Sequence, residues 1–196
     1  SFEDKCVYVK NEVDKLINAI KPHIVIHTAA MTNVDQCEIE QDKCWLLNVK
    51  AVEYITKACQ YNHAFLIHLS TDFIFDGKDG PYNETASANP LSHYGKSKLE
   101  AEKIITQTSY LRWAIARTML VYGIAKDMSR NNIVLWIKKN LEEGKPIQVI
   151  NDQWRTPTLA EDLAMGCYQI AEKEATGIFN ISGKDMLTPY QMAIEV

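Results

Sequence analysis

Tyr94 and Lys98 stand four residues apart in the run 92–102, Ser-His-Tyr-Gly-Lys-Ser-Lys-Leu-Glu-Ala-Glu. On a helix that spacing puts both side chains on one face, one turn apart. A free phenol titrates near pH ~10 and a lysine near ~10.4. An ammonium beside the phenol favours the phenolate, so the pair is expected to draw the tyrosine pKa down toward the range of an acid–base catalyst. Alone, the pattern equally describes an exposed tyrosine on an amphipathic helix whose Lys98 pairs with Glu102. Two further stretches bear on the choice. Phe65-Leu66-Ile67-His68-Leu69 runs into Ser70-Thr71-Asp72, an apolar strand ending in hydroxyls and a carboxylate. Ile24-Val25-Ile26-His27 runs into Thr28-Ala29-Ala30-Met31-Thr32, and Asn48 falls between the two strands. Thr71 is either a hydrogen-bond donor in the site or a cap on local backbone. Asp72 either joins it or caps the following loop.

Regular elements must hold these groups in place. Residues 7–9 read as a short strand, and Val13, Leu16, Ile17 and Ile20 recur at helical spacing before Pro22. Residues 23–30 read as a strand, about 40–61 as a helix carrying Asn48, and 64–70 as the next strand. Neither strand alternates; both are nearly continuous apolar runs, as in a parallel sheet covered on both faces. The alternation of strand and helix predicts an α/β doubly wound parallel sheet. After Asp72, the pairs Asp76-Gly77, Gly80-Pro81 and Asn89-Pro90 mark a long loop. A loop of that length beside a strand end suggests function. Downstream, 113–118 reads as a strand, 122–123 as a hinge, 132–143 as a helix stopped by Gly144, 147–150 as a strand, 158–173 as a helix and 178–181 as a strand. Thr188-Pro189-x-Gln191 spells an N-cap, a proline at the first helical position and a capping-box partner.

The phrases HTAAMTNVDQCE, LNV, STDFIFDG, PYNE, NPLSHYGKSKLEAE and NDQWRTPT, spread over nearly the whole chain, resemble the extended short-chain dehydrogenase/reductase family. Within it they look like the dTDP-4-dehydrorhamnose reductases. The resemblance implies a Rossmann-like fold and NADPH- or NADH-dependent reduction of the 4-keto group of a nucleotide-linked deoxysugar. That fold normally opens with a Gly-rich turn holding the pyrophosphate at a helix N-terminus. The chain's eight glycines include no such motif. Against the family it begins around the third strand and stops before the last part of the substrate domain, so it reads as an internal fragment or the ordered part of a longer protein. Residues 1–125 would be a partial dinucleotide-binding core carrying the catalytic residues. Residues 126–196 would be a mainly substrate-binding, truncated α/β part, with the chain crossing between the two.

On that resemblance the catalytic set is Thr71, Tyr94 and Lys98. Tyr94 would protonate the carbonyl oxygen as hydride reaches its carbon, Thr71 would hydrogen-bond the same oxygen, and Lys98 would tune Tyr94 and reach the nicotinamide ribose. Ala29, Ala30 and Thr32 would line the cofactor, or simply pack helix on sheet. Asn48 would steady the Lys98 region. Arg117 would face the cofactor cleft, with Thr118 beside it. The substrate would meet Thr71, Asp72, Tyr94, Trp154 and Arg155. A guanidinium suits a diphosphate and an indole can stack on a base or sugar, though Arg155 also reads as a surface charge and Trp154 as local core. His27, His68 and His93 read as packing or surface residues, and no metal set is expected. Two other functions fit the same text. One is an epimerase or dehydratase of the superfamily, although no Glu follows Asp72. The other is a non-catalytic regulatory subunit like methionine adenosyltransferase beta.

Composition bounds the rest. The chain has 196 residues, 46% hydrophobic, enough for one large or two small domains. A net charge of −4 without a basic run argues against nucleic acid. Apolar runs are too short for a bilayer span, and the chain opens on no signal peptide. Cys6, Cys37, Cys44, Cys59 and Cys167 form no C-x-x-C pair, so buried thiols in a reducing, cytoplasmic compartment are expected. The expected partners are a nucleotide-sugar substrate and a second copy of the chain in a homodimer.

Overall fold

The computed structural model describes residues 7–124 and 132–196, which divide into two compact units. The first comprises residues up to Arg117 together with Cys167–Asn180; the second comprises Thr118–Gly166 and Ile181–Val196. The boundary expected at 125/126 falls outside the described residues.

The first unit is built on a four-stranded sheet. Its strands are β1 (Ile24–His27), β2 (Phe65–Thr71), β3 (Trp113–Thr118) and β6 (Gly177–Asn180), in the order β1-β2-β3-β6. β1 pairs parallel with β2, and β3 parallel with β6. β2 is buried at six of its seven positions, which is why it reads as an unbroken apolar run. Helices α1 (Lys10–Ile20), α4 (Ala51–Tyr61) and α5 (His93–Gln107) cover one face. Val13 and Ile17 of α1, Val52, Ile55 and Cys59 of α4, and Ala101 and Ile105 of α5 close one core with Leu66 and Ile115 of the sheet. An 11-residue helix such as α1 is marginal alone; packing of Val13 and Ile17 holds it. The result is the expected α/β architecture with a parallel sheet.

Several local expectations need correction. Residues 7–9 form no strand: Tyr8 lies in a turn, and the Val9 carbonyl accepts the Glu12 and Val13 amides, starting α1. The expected helix over 40–61 is preceded by a separate helix, α2 (Val34–Ile39), capped by the Asn33 side chain on the Gln36 amide. The 40–61 segment itself contains α3 (Gln41–Trp45), then a π-helical turn (Leu46–Lys50), then α4. The widened turn carries Asn48; such bulges recur at functional positions. A 3-10 turn (Asp72–Ile74) follows β2.

The second unit holds a short parallel pair, β4 (Val121–Tyr122) with β5 (Thr158–Leu159), and helices α6 (Ile133–Glu142) and α8 (Pro189–Glu195). Helix α7 (Ala160–Lys173) carries the chain from the second unit into the first. The expected helix over 158–173 therefore loses its first two residues to β5. Residues 147–150 form no strand: they make no ladder among the described residues, and Ile150 only accepts the Tyr190 amide. The capping box at Thr188 and Gln191 is present in full. Gly183 is required by close approach, since a Cβ there would meet the Pro157 carbonyl oxygen.

Candidate functional site

Helix α5 delivers Tyr94 and Lys98. Ser92 caps it by accepting the Gly95 amide at 3.0 Å, and Gly95 lets it lie directly on the 3-10 turn, where a Cβ would collide with the Phe73 carbonyl oxygen. That contact sets the first turn of α5 against the end of β2. Tyr94 is buried, its ring edge-on to Phe73 with centroids 5.7 Å apart and packed among Met31, Cys37 and Cys44. Its hydroxyl is close enough to the Thr71 side chain for that hydroxyl to favour the phenolate. The Thr71 hydroxyl also donates to Asp72 at 3.1 Å and accepts the Phe73 amide at 3.3 Å. Thr71 thus caps local backbone and lies near Tyr94.

The electrostatics reverse the expectation drawn from spacing. Burial pushes the Tyr94 phenol up to about 12, the nearby Thr71 hydroxyl only partly opposing it. Burial pulls Lys98 down to about 8 against the Glu102 carboxylate. Desolvation outweighs the lysine charge because the ammonium is directed elsewhere: Nζ donates to the Leu69 carbonyl at 2.7 Å and lies 3.1 Å from His68 Nε2. The phenol is therefore a proton-loaded acid throughout the neutral range.

His68 is buried, as its reading as a packing residue allows, and so is His27 beside it in register on β1. Their Nδ1 atoms are 3.0 Å apart and their rings stack at 5.2 Å. The signal was present in the sequence: aligning the two strand ends places both histidines at one register position. His93 is a separate case, its ring tilted against Trp45.

Asn48 works on the backbone. Its Oδ1 accepts the Met31 amide at 2.8 Å, and its Nδ2 donates to the Met31 carbonyl at 2.9 Å and to Ser97 Oγ at 3.0 Å. Ser97 in turn donates to the Tyr94 carbonyl at 2.7 Å. One buried amide thereby ties the loop carrying Ala29, Ala30 and Thr32 to the helix of Tyr94 and Lys98. Ala29 and Ala30 are half-buried and Thr32 is exposed.

Arg117, expected at the cofactor, is directed inward instead. Its guanidinium donates to both Glu102 oxygens, at 3.0 and 2.7 Å, and to the Glu84 carbonyl at 3.1 Å, and sits over the Phe75 ring. Ser70 donates to the same Glu102 carboxylate. Thr118 Oγ1 lies 3.3 Å from Thr158 Oγ1. In the second unit, Arg155 pairs its backbone with Leu187 and donates to Gln153 at 2.8 Å, while Trp154 is 56% exposed and so is not local core. Among the described residues no cluster of three His, Cys, Asp or Glu is placed to hold a metal, and no helix is long and apolar enough to cross a membrane.

A family model described as the RmlD substrate binding domain matches residues 7–196. The methionine adenosyltransferase 2 subunit beta of Bos taurus is 34% identical over all of this chain and 60% of its own length. The dTDP-4-dehydrorhamnose reductase of Aggregatibacter actinomycetemcomitans is 33% identical over all of this chain and 67% of its own length. The crystal structure of the Bacillus anthracis dTDP-4-dehydrorhamnose reductase in complex with NADP superposes with a TM-score of 0.91 at 29% identity, covering 99% of this chain and 69% of that one. The chain spans about 60% of the length of the first curated relatives that it matches.

Proposed function

The chain belongs to the RmlD substrate binding domain family, and from that premise we propose that it carries the catalytic residues of an NAD(P)H-dependent reductase of a nucleotide-linked 4-keto deoxysugar. The observation that carries this reading is the buried Tyr94 phenol, set near buried Thr71 with Lys98 buried one helical turn along.

The residues fit a nicotinamide cofactor. Lys98 has three N–H donors; Leu69 and His68 account for two, leaving one for a ribose hydroxyl. Small Ala29 and Ala30 suit close approach by the cofactor to a loop that Asn48 holds. When bound, the nicotinamide supplies hydride to the carbonyl carbon. Negative charge then grows on the carbonyl oxygen, and the stabilising groups must already point at it. Tyr94 passes its proton to that oxygen. Thr71 turns its hydroxyl from Asp72 to donate to the same atom. The Lys98 charge stabilises the tyrosinate left behind. Trp154 and Arg155 are proposed to hold the nucleotide half of the substrate. Arg117 is proposed to hold α5 against β3, so its part in cofactor binding is indirect.

The test is NADPH oxidation by the complete protein with dTDP-4-dehydro-6-deoxy-L-mannose, with Tyr94→Phe as the control. A second reading is favoured by one observation, the identity with methionine adenosyltransferase beta subunits. A protein that binds NADPH saturably but shows no turnover with the keto sugar would favour this regulatory role.

A further inference from the structure

The buried pair His27 and His68 lies directly behind Lys98, and the reductase mechanism proposed above leaves it unused. A lysine ammonium has donors only. With Nζ 3.1 Å from His68 Nε2, that nitrogen must be the acceptor. His68 then carries its proton on Nδ1 and donates it to His27 Nδ1, 3.0 Å away. His27 in turn must carry its proton on Nε2, a buried atom with no partner among the described residues. Leaving such a donor unpaired is costly, so this arrangement persists against a local penalty. A pair of strand residues chosen for packing alone would have been apolar, as their neighbours Ile26 and Ile67 are.

We propose that His68 is a positioning residue that holds the Lys98 ammonium in place, and that His27 fixes the tautomer His68 needs to do so. This inference rests on the reductase reading for its consequence in turnover, but the hydrogen-bonded chain stands without it. The other groups facing Lys98 are Glu102 on its own helix and Cys44 on α3. Glu102 is already paired with Arg117, so the ammonium is directed by two uncharged acceptors, the Leu69 carbonyl and His68, and His68 is the side chain of the two. Burial and the Lys98 charge hold both rings well below the ordinary histidine range, His27 at about 3, so the pair stays neutral at working pH. A charged His68 would repel Lys98 and remove its acceptor.

Three readouts test this in the complete protein. Long-range proton–nitrogen NMR of ¹⁵N-histidine, assigned with His27→Gln and His68→Gln, should show His68 protonated on Nδ1 and His27 on Nε2 at pH 7; the opposite tautomers, or a charged ring, overturn the inference without any reference to catalysis. The NMR titration midpoint of Lys98 should fall further in His68→Leu and return in His68→Gln, whose carbonyl can accept from the ammonium while its amide donates to His27; an unmoved midpoint in His68→Leu overturns it. Loss of a hydrogen bond to a charged group should lower kcat about tenfold to a hundredfold in His68→Leu, with KM for the keto sugar changed less than about threefold and His68→Gln largely restored. Turnover in His68→Leu equal to the unmutated protein overturns the positioning role. Expected tautomers in a protein that reduces no keto sugar overturn the reductase reading and leave the histidine chain standing.

Discussion

The Glu102 carboxylate on α5 and the Arg117 guanidinium on β3 meet in a two-pronged ion pair, at 3.0 and 2.7 Å, with both side chains under a tenth exposed. The planar guanidinium fork suits that geometry better than an ammonium would. Removing one partner strands a buried charge. Arg117→Ala is therefore expected to destabilise the fold by about 3–5 kcal/mol, read as a shift in urea midpoint. NADPH affinity of the fraction that remains folded should be unchanged. A variant of normal stability with a weakened NADPH Kd would restore Arg117 to the cofactor.

Gly95 and Phe73 give a second expectation. A Cβ at Gly95 has no space against the Phe73 carbonyl oxygen, and the obstacle is backbone. Gly95→Ala must push α5 away from the 3-10 turn, and with it Tyr94 away from Thr71. Overpacking of this kind costs about 1–3 kcal/mol, and a misplaced acid should reduce turnover by a larger factor than the stability loss accounts for. Thermal unfolding and kcat measured together test this, and normal kcat in a destabilised variant would separate the contact from the chemistry.

Much of the frame was legible in the sequence because burial leaves a simple mark. β2 and β3 are apolar runs and α5 has a hydroxyl cap. The π-helical turn at Asn48 was not legible, since it depends on how one amide meets the Met31 backbone rather than on periodicity. The direction of the Tyr94 shift was missed for a related reason. Spacing places Lys98 beside Tyr94 but says nothing of what the ammonium points at, and the Leu69 carbonyl and His68 come from 29 and 30 residues away. The pairing of Arg117 with Glu102 is hidden in the same way, because in the sequence Glu102 stands as a helical neighbour of Lys98.

The histidine pair fixes a pH dependence. His27 is lowered from 6.5 to about 3, and His68 is lowered well below 6.5, both by burial first and Lys98 second. Below about pH 6.5 the unfolded chain takes up protons that the folded chain refuses, so stability falls as pH drops, continuing toward the folded values. Between pH 6.5 and 5 His27 alone should remove about 1–2 kcal/mol, and His68 acts in the same direction. The carboxylates with depressed pKa, Glu40, Glu53, Asp76 and Glu84, have ordinary values of 4.5 or below, so their contribution is lost mainly at lower pH. Urea midpoints at pH 7 and 5 check this, and His27→Gln should flatten the slope. Midpoints that do not move over that window would mean that the pair is charged in the fold.

Arg155 and Trp154 provide a test confined to the substrate. If they hold the nucleotide half, Arg155→Ala should raise KM for the sugar nucleotide by the loss of a charged hydrogen bond, about 1.5–3 kcal/mol. The NADPH Kd should not move. Equal KM values would return Arg155 to the surface-charge reading.

The proposed proton donor gives the last expectation. Tyr94 stays protonated until about pH 12, so the acid is loaded at every pH at which the protein is assayed. Lys98 instead loses its charge near pH 8. If Tyr94 supplies the proton and Lys98 stabilises the tyrosinate, kcat should decline above pH 8 on the lysine, not on the phenol. Tyr94→Phe removes only the hydroxyl from a ring that is otherwise packed by Phe73, Met31 and Cys44. The complete protein carrying it should fold normally and lose roughly 10²–10⁴ in kcat at every pH, since general acid catalysis contributes about that factor. NADPH binding followed by nicotinamide fluorescence should persist. Near-normal turnover in this variant would mean that another group protonates the carbonyl oxygen, and Thr71 would then be the residue to replace next.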